Sequence, residues 1–139
     1  TQVRRDVKRH PLEEALDALL QSGVKTIGLK LGREGCLVVT SERQVRLPGF
    51  RVETIDTTGA GDAFSAGMIF GRLHGLSLEA RGIFANTLGA LTTTVWGGGA
   101  SLPPLKEVRA FLASQRKGEH PWDAFVEEAL AGLDQVLLA

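Results

Sequence analysis

The segment Asp56-Thr57-Thr58-Gly59-Ala60-Gly61-Asp62-Ala63-Phe64 lies between a short apolar stretch and a long helical pattern, and it decides how the rest of the chain is interpreted. Its residues are small, and 10 of the 17 glycines of the chain lie between Gly59 and Gly99. Glycine allows the backbone to turn with positive φ and to come close to a ligand that a Cβ atom would block. The functional residues are therefore expected in and after this segment.

The backbone of this segment predicts a site for an anion. We expect free N–H groups at Gly59, Ala60 and Gly61, where the partial positive charge of a helix N-terminus stabilises a phosphoryl oxygen. Asp62 in the first helical turn is placed to accept a proton from a group that attacks phosphorus. The alternative interpretation is that Asp62 caps the helix and that the glycines serve close packing.

On both sides of this segment the hydrophobic pattern alternates between helical and strand periods, which predicts an α/β chain. Gly67 and Gly71, four residues apart on the helix that follows, are expected to allow close packing against a neighbour. The pattern predicts helices over 11–23, 61–75, 76–96, 105–115 and 121–138, and short strands over 26–31, 36–40, 44–48 and 51–55.

Composition limits the class of protein. The chain has 139 residues, enough for one domain over 11–139 after a polar linker or tail over 1–10. Lys and Arg number 16 and Asp and Glu number 16, so no global positive field favours nucleic acid. No apolar stretch reaches the length of a membrane span. Cys36 is the single cysteine, which excludes a disulfide framework and leads us to expect a cytoplasmic location; we expect it to be a small buried strand residue.

The segment DTTGAGDAF matches every fixed position of a D-T-x-G-A-G-D-x-F signature, and here the sequence resembles the ribokinase-like, or PfkB, family of carbohydrate kinases. LKLGREGCLVV over 29–39 resembles the strand-turn-strand of the family, and FANTLGALTTTVWGGGASLP over 84–103 resembles its adenine-side helix and cation loop. The resemblance covers about residues 24–114. It implies the C-terminal portion of a doubly wound, Rossmann-like three-layer fold that lacks the N-terminal half and the small β lid.

The resemblance also implies roles for individual residues. Asp62 is implied as the catalytic base for a sugar hydroxyl, with Gly59, Ala60 and Gly61 as the anion hole for the γ-phosphoryl group of ATP, which Mg²⁺ accompanies. The implied nucleotide contacts are Lys30, Gly32 and Asn86. The implied ligands of a monovalent cation such as K⁺ are all oxygen donors, namely Asp56, Thr58, Thr93, Gly98 and Ser101.

Three of these assignments have a structural alternative. Lys30 could simply end a strand in solvent, because lysine is usually exposed. Asn86 could bond only to other protein groups, and the glycines from Gly97 to Gly99 could be a plain helix stop.

Family members carry an N-terminal half, with most of the sugar-binding residues, before the region matched here. A site that holds only the phosphoryl donor lacks the positioning of the acceptor, so we expect the chain alone to be nearly inactive and to need that half in cis or in trans. Exposed sheet edges predict a homo-oligomer. Two other interpretations stay open: a non-catalytic remnant that binds a nucleotide or a partner, and an unrelated phosphate-binding protein.

Overall fold

The computed structural model describes residues 10–97 and 102–138, in which five helices flank three short strands. One turn of 3₁₀ helix, Gly32–Glu34, joins the first two strands. The helices are α1 (Pro11–Gln21), α2 (Ala60–Leu73), α3 (Leu78–Thr92), α4 (Leu105–Ser114) and α5 (Pro121–Leu137), and the strands are β1 (Ile27–Lys30), β2 (Cys36–Val39) and β3 (Gln44–Leu47).

The three strands form an antiparallel sheet in the order β1-β2-β3, and the central strand β2 is buried along its whole length. Successive side chains of a strand point to opposite faces of the sheet. Leu37 and Val39 therefore pack with Leu16 of α1 on one face, whereas Cys36 and Val38 belong to the larger core formed with the other helices. Helix, sheet and helix make three layers, which confirms the predicted α/β class.

The helices on the second face pack closely because glycine lies at their contacts. A Cβ atom on Gly67 of α2 would lie 2.6 Å from the Cα atom of Ala85 on α3, and one on Gly71 would collide with the side chain of Arg81. Gly82 of α3 lies against Val38 of the sheet in the same way. The close packing predicted for Gly67 and Gly71 is confirmed, and it holds α2 and α3 as one layer.

The predicted fourth strand over 51–55 is wrong. Ile55 and Asp56 donate their backbone N–H groups to the carbonyl oxygen of Thr93, at 2.7 and 3.1 Å, rather than to a neighbouring strand. This segment is a loop held by the C-terminal end of α3, and it delivers the chain to the start of α2.

Helix α3 also ends earlier than predicted, at Thr92 rather than near residue 96. The hydroxyl groups of Thr93 and Thr94 donate to the carbonyl oxygens of Ala90 and Leu91, at 2.6 and 2.7 Å. Threonine side chains of this kind compete with the helical hydrogen-bond pattern, and β-branched residues are crowded in a helix.

Two histidines begin helices. The Nδ1 atom of His10 accepts the N–H group of Leu12, and that of His120 accepts the N–H group of Trp122. His10 and His120 are therefore helix-cap residues. Residues 1–9 of the predicted linker lie outside the described residues. Within the described ranges, no helix has both the length and the apolar character needed to cross a membrane.

Candidate functional site

The turn before α2 has the backbone geometry that its glycines predict. Gly59 is the N-cap of α2 with φ of 78°, a left-handed conformation that favours glycine, and no side chain caps the helix. The N–H groups of Gly61 and Asp62 have no acceptor among residues 10–97 and 102–138, so they remain available to a ligand.

One detail of the predicted anion site is corrected. The N–H group of Ala60, expected to be free, donates to the carbonyl oxygen of Thr57 at 3.2 Å, because the chain closes a tight turn as the helix begins. The free N–H groups therefore belong to Gly59, Gly61 and Asp62 rather than to Gly59, Ala60 and Gly61.

Asp62 lies on the exposed side of the first turn of α2. Within the described part of the chain its carboxylate makes no hydrogen bond or ion pair, and it caps no backbone N–H group. The capping interpretation of Asp62 is therefore wrong, and the carboxylate is free to accept a proton.

Lys30 brings the end of β1 to the start of α2. Its side chain is on the sheet face that carries Gly28, which packs against Phe64 and Met68 of α2. The Nζ atom of Lys30 lies 2.9 Å from the position that a Cβ atom on Gly61 would occupy. Lys30 is exposed, as expected for a residue that ends a strand in solvent. Its ammonium group is nevertheless directed to the N-terminus of α2 rather than away from the protein.

A cavity of about 530 Å³ extends from Lys30 into the protein. It is bounded by the 3₁₀ turn at Gly32, the first residue of α2 at Ala60, and one side of α3 at Asn86 and Thr93. Binding sites for small molecules and cofactors commonly measure ~300–1,000 Å³, so the volume is adequate for a nucleotide. Sequence reasoning named all five of these residues, and the structure brings them to one cavity.

Other residues of the cavity wall were not identified from the sequence. Gly89 and Ala90 lie on α3 between Asn86 and Thr93, and these four residues follow the i, i+3, i+4, i+7 spacing of one helix face. This stripe of small and polar residues on one helix face could have been identified from the sequence. Three further residues of the wall had no such signal: Arg33 of the 3₁₀ turn and the loop residues Phe50 and Val52.

Phe50 is held in the wall by two aromatic rings of the C-terminal helices. Its ring packs edge to face with Phe111 at 5.5 Å and with Trp122 at 5.8 Å between centroids. These partners are distant in the sequence, which explains why the position of Phe50 could not be predicted from its neighbours. Helices α4 and α5 thus hold Phe50 in its position in the cavity wall.

Asn86 is only 8% exposed and donates its Nδ2 group to the carbonyl oxygen of Pro48, at 3.2 Å. It also lies beside Cys36, whose burial raises the pKa of the thiol to about 11 although the hydrogen bond with Asn86 acts to lower it. The prediction that Cys36 is a buried strand residue is confirmed. Asn86 therefore holds the Pro48 loop to α3, and its assignment as an adenine contact stays a prediction.

Asp56 joins the turn before α2 to the segment that follows α3. Its Oδ1 atom accepts the N–H and hydroxyl groups of Thr58, at 2.9 and 2.7 Å, and its Oδ2 atom accepts the N–H group of Gly97 at 3.2 Å. The hydroxyl and then the backbone N–H of Thr58, followed by Gly97, hold the pKa of Asp56 below its ordinary value. A charged carboxylate thus lies beside the anion site.

The predicted cation ligands are partly brought together. Asp56, Thr58 and Thr93 are close in space, although the carbonyl oxygen of Thr93 already accepts two N–H groups. Gly98 and Ser101 lie outside the described residues. All of the predicted cation ligands would donate oxygen atoms, which suits a hard monovalent cation. Within the described ranges, no group of three His, Cys, Asp or Glu side chains is suited to hold a metal ion.

The sequence of the chain matches a known protein family. The model of the pfkB family carbohydrate kinases matches residues 5–105, which is more than half of the chain. The chain belongs to the pfkB family. It is 37% identical over 105 residues to 2-dehydro-3-deoxygluconokinase of Bacillus subtilis. This alignment covers 75% of the chain and 32% of the relative.

Solved structures give the same family fold. Ribokinase of Thermotoga maritima superposes with a TM-score of 0.69 and 35% identity, covering 75% of this pfkB-family chain and 35% of the ribokinase. A double-mutant fructokinase of Vibrio cholerae with bound fructose, ADP and potassium ion superposes with a TM-score of 0.62 and 33% identity. The superposition covers 72% of this chain and 34% of the fructokinase. The ribokinase-like fold expected for the chain is confirmed. The chain spans about a third of the length of the relatives it matches.

Proposed function

We propose that the chain is the nucleotide-binding and catalytic portion of an ATP-dependent sugar kinase. The observation that carries the proposal is the junction of β1 and α2. The ammonium group of Lys30, which lines the 530 Å³ cavity, lies against Gly61 there, and the N–H groups of Gly61 and Asp62 have no acceptor among the described residues. A cation and a helix N-terminus at one point favour a polyanion. The fructokinase with bound fructose and ADP supports a nucleotide as that anion.

The surroundings of Gly61 fit the phosphates. A Cβ atom there would lie 2.9 Å from the Nζ atom of Lys30 and would fill the space next to the free N–H groups. In the proposed complex, Lys30 and these N–H groups bind the phosphate oxygens, and the wall from Gly32 to Asn86 receives the adenosine. Bound Mg²⁺ would supply charge neutralisation between the phosphates.

Asp62 is proposed as the general base. Its carboxylate accepts the proton of a sugar hydroxyl while the oxygen of that hydroxyl forms a bond to the γ-phosphorus, and the bond from this phosphorus to the bridging oxygen of ADP breaks. The free N–H groups of Gly59, Gly61 and Asp62 stabilise the charge on the transferred phosphoryl group. The lack of any hydrogen bond to Asp62 within the described chain leaves this carboxylate available.

A monovalent cation is proposed beside this site. Asp56, Thr58 and the hydroxyl of Thr93 would hold it together with Gly98 and Ser101. The potassium ion in the related fructokinase supports this assignment.

The sugar is proposed to be bound mainly by a second portion of the protein. The described residues bring together the donor groups, and the relatives are about three times as long as the chain. The chain alone is therefore expected to bind ATP weakly and to phosphorylate no sugar. The chain is about a third as long as its relatives, which also favours the rival proposal of a non-catalytic remnant that binds a nucleotide or a partner.

Calorimetric titration of the chain with ATP and Mg²⁺ tests the proposal. Binding in the millimolar range is expected, because the open site is wet and its charge interactions are weak. Gly61→Val should abolish the binding, whereas Ala66→Val, on an exposed position of the same helix, should leave it unchanged. Inorganic phosphate at the same concentration should bind more weakly than ATP.

Two results would contradict the proposal. ATP binding that is undetectable at millimolar concentration, or that survives Gly61→Val, would mean that the donor site is not formed and would favour the partner-binding remnant. Equal affinity for phosphate and ATP would favour an unrelated phosphate-binding protein.

A further inference from the structure

Helix α5 begins at Pro121, beyond the segment that the family model matches, residues 5–105. Membership of the family therefore does not explain what this helix contributes. Its apolar face is buried in the larger core, where Val126, Leu130 and Leu133 are each no more than 2% exposed. A helix that buries such a face is part of the folded domain, and its contacts with the cavity can bear on function.

Acidic side chains fix α5 to the two helices beside it. The carboxylate of Glu128 accepts the backbone N–H group of Ser77, the N-cap of α3, at 2.6 Å. The Nε and Nη2 groups of Arg109 on α4 donate to the two carboxylate oxygens of Asp134, at 2.6 and 3.0 Å. Bidentate pairs of this kind restrict geometry as well as distance. Helix α5 is thus held in a defined position against α3 and α4.

Trp122, in the first turn of α5, is held from several directions. Its side chain is buried, at 6% exposure, and its Nε1 group donates to the carbonyl oxygen of Gln115 at 3.1 Å. The Nζ atom of Lys117 lies 4.7 Å from the centroid of the indole ring. The backbone N–H group of Trp122 donates to His120, the N-cap of the helix. A buried indole with its N–H group paired and a cation over its ring has little freedom to reorient.

The indole of Trp122 contacts Phe50 in the cavity wall. The two rings are inclined at 65°, the edge-to-face arrangement that aromatic pairs favour, and Phe111 of α4 meets the same ring at 82°. The backbone two residues before Phe50 is held by α3, because Asn86 donates to the carbonyl oxygen of Pro48. Phe50 is therefore the point in the cavity wall at which α3, α4 and α5 all act.

We infer that Trp122 is a positioning residue for the nucleoside part of the bound nucleotide and that it acts through Phe50. The inference rests on the proposed function, because the cavity is taken to receive a nucleotide. The proposed phosphate contacts, Lys30 and Gly61, belong to β1 and α2, and neither element carries a ring of the cluster formed by Phe50, Phe111 and Trp122. Trp122 therefore acts on the nucleoside and not on the phosphates.

The physical reason is the order of the Phe50 ring before the ligand arrives. Removal of the indole would leave a space beside Phe50 and free its ring to change rotamer. The nucleoside would then have to order this ring on binding, and ordering a side chain at a binding site costs affinity. The charge interactions at Lys30 do not depend on the ring, so they should persist.

NMR titration of the whole isotope-labelled chain with ATP and, separately, with inorganic tripolyphosphate tests the inference, with Mg²⁺ present in both. Tripolyphosphate carries the polyanion without the nucleoside. Trp122→Leu should weaken ATP binding about tenfold, the upper range for the loss of one aromatic pair, and should leave tripolyphosphate binding unchanged. In the unmodified chain, the ring resonances of Phe50 should shift with ATP and not with tripolyphosphate.

Two variants separate this role from a merely structural one. Trp122→Phe keeps an aromatic ring against Phe50 and should retain the ATP affinity, although it loses the hydrogen bond to Gln115. Leu130→Ala removes another buried side chain of α5, about 12 Å further along the helix, and should leave the ATP affinity unchanged. If Trp122→Leu does not fold, Phe111→Leu, at the second aromatic contact of Phe50, carries the same test.

The inference is overturned if Trp122→Leu binds ATP as tightly as Leu130→Ala does, or if its affinity for tripolyphosphate falls as much as its affinity for ATP. Either result, obtained with an unmodified chain that binds ATP, leaves the proposed function standing. An unmodified chain that binds neither ligand would contradict the proposed function and the inference together.

Discussion

The ammonium group of Lys30 lies 2.9 Å from the point where a side chain at Gly61 would begin, so the last residue of β1 and the first turn of α2 share one small space. That space is positively charged, because the charge of the lysine adds to the partial charge of the helix N-terminus. The free N–H groups of Gly61 and Asp62 open into the same region. Glycine at position 61 leaves this space open, and a side chain there would meet Lys30 rather than a neighbouring helix.

Lys30→Met should weaken ATP binding about tenfold, because a hydrogen bond to a charged group contributes ~1.5–3 kcal/mol and this site is open to water. The matched control is Lys25→Met, an exposed lysine before β1. Calorimetric titration of both variants with ATP and Mg²⁺ gives the comparison. Equal affinity of the two variants would show that Lys30 is only an exposed strand end.

Asp62→Asn should lower turnover by ~10²–10⁴ in the complex with the N-terminal portion, while the affinity for ATP changes little. The substitution keeps the size of the side chain and removes the base. Turnover is measured with a panel of sugars, and ATP affinity by titration of the same preparation. A variant with nearly normal kcat would mean that another group takes the proton.

Potassium should raise the activity of the same complex relative to a large organic cation at equal ionic strength, which keeps salt screening constant. The physical reason is that Asp56 and the threonine oxygens beside it suit a hard cation that strengthens the anion site. Asp56→Ala should remove most of this dependence. Identical rates in the two salts would show that the segment after Gly97 does not form a cation site.

Acid should remove the contribution of Asp56 to stability. Its pKa is lowered by hydrogen bonds from Thr58 and Gly97, so it is lower in the folded than in the unfolded chain. The contribution is therefore complete above the unfolded pKa of ~3.9 and is lost as the pH falls through the folded value. Melting temperatures of the chain and of Asp56→Asn should differ at pH 6 and converge toward pH 2. A difference that stays constant with pH would exclude this role.

The part of the site that is local in the sequence could be predicted from it. The turn at Gly59 and the free carboxylate of Asp62 depend on a few adjacent residues, and the burial of Cys36 follows from its place in an apolar strand. Each is determined mainly by backbone preference or by strand pattern. This explains why the signature segment and most helices lie where the pattern put them.

The parts that could not be predicted depend on contacts between distant segments. Residues 51–55 alternate like a strand, but the carbonyl oxygen of Thr93 takes the N–H groups at the end of that segment. Asn86 donates a hydrogen bond to the carbonyl oxygen of Pro48, and the ring of Phe50 packs against aromatic rings of α4 and α5. The hydrophobic pattern of a segment carries no information about which remote carbonyl or ring it meets.

The approach of α2 to α3 gives a prediction for stability that separates close packing from helix propensity. Gly67→Ala introduces a Cβ atom 2.6 Å from the Cα atom of Ala85, where the backbone cannot yield without separating the helices. Such overpacking costs ~1–3 kcal/mol, which exceeds the ~1 kcal/mol that alanine gains over glycine in a helix. Gly67→Ala should therefore lower the free energy of unfolding.

Gly89→Ala is the matched control for Gly67→Ala, because its Cβ atom would meet the carbonyl oxygen of Ala60 at an ordinary 3.5 Å. Only the helix propensity changes there, and the free energy of unfolding should rise by up to ~1 kcal/mol. Urea denaturation measures both, with the midpoint shifting in opposite directions at an unchanged slope. The Gly67→Ala variant should also bind ATP more weakly, because displacement of α3 moves Asn86 and Thr93 away from the cavity. If both alanine variants were stabilised alike, the two helices would have room to spare, and the position of the α3 wall would have to be fixed by the sheet contact at Gly82 instead.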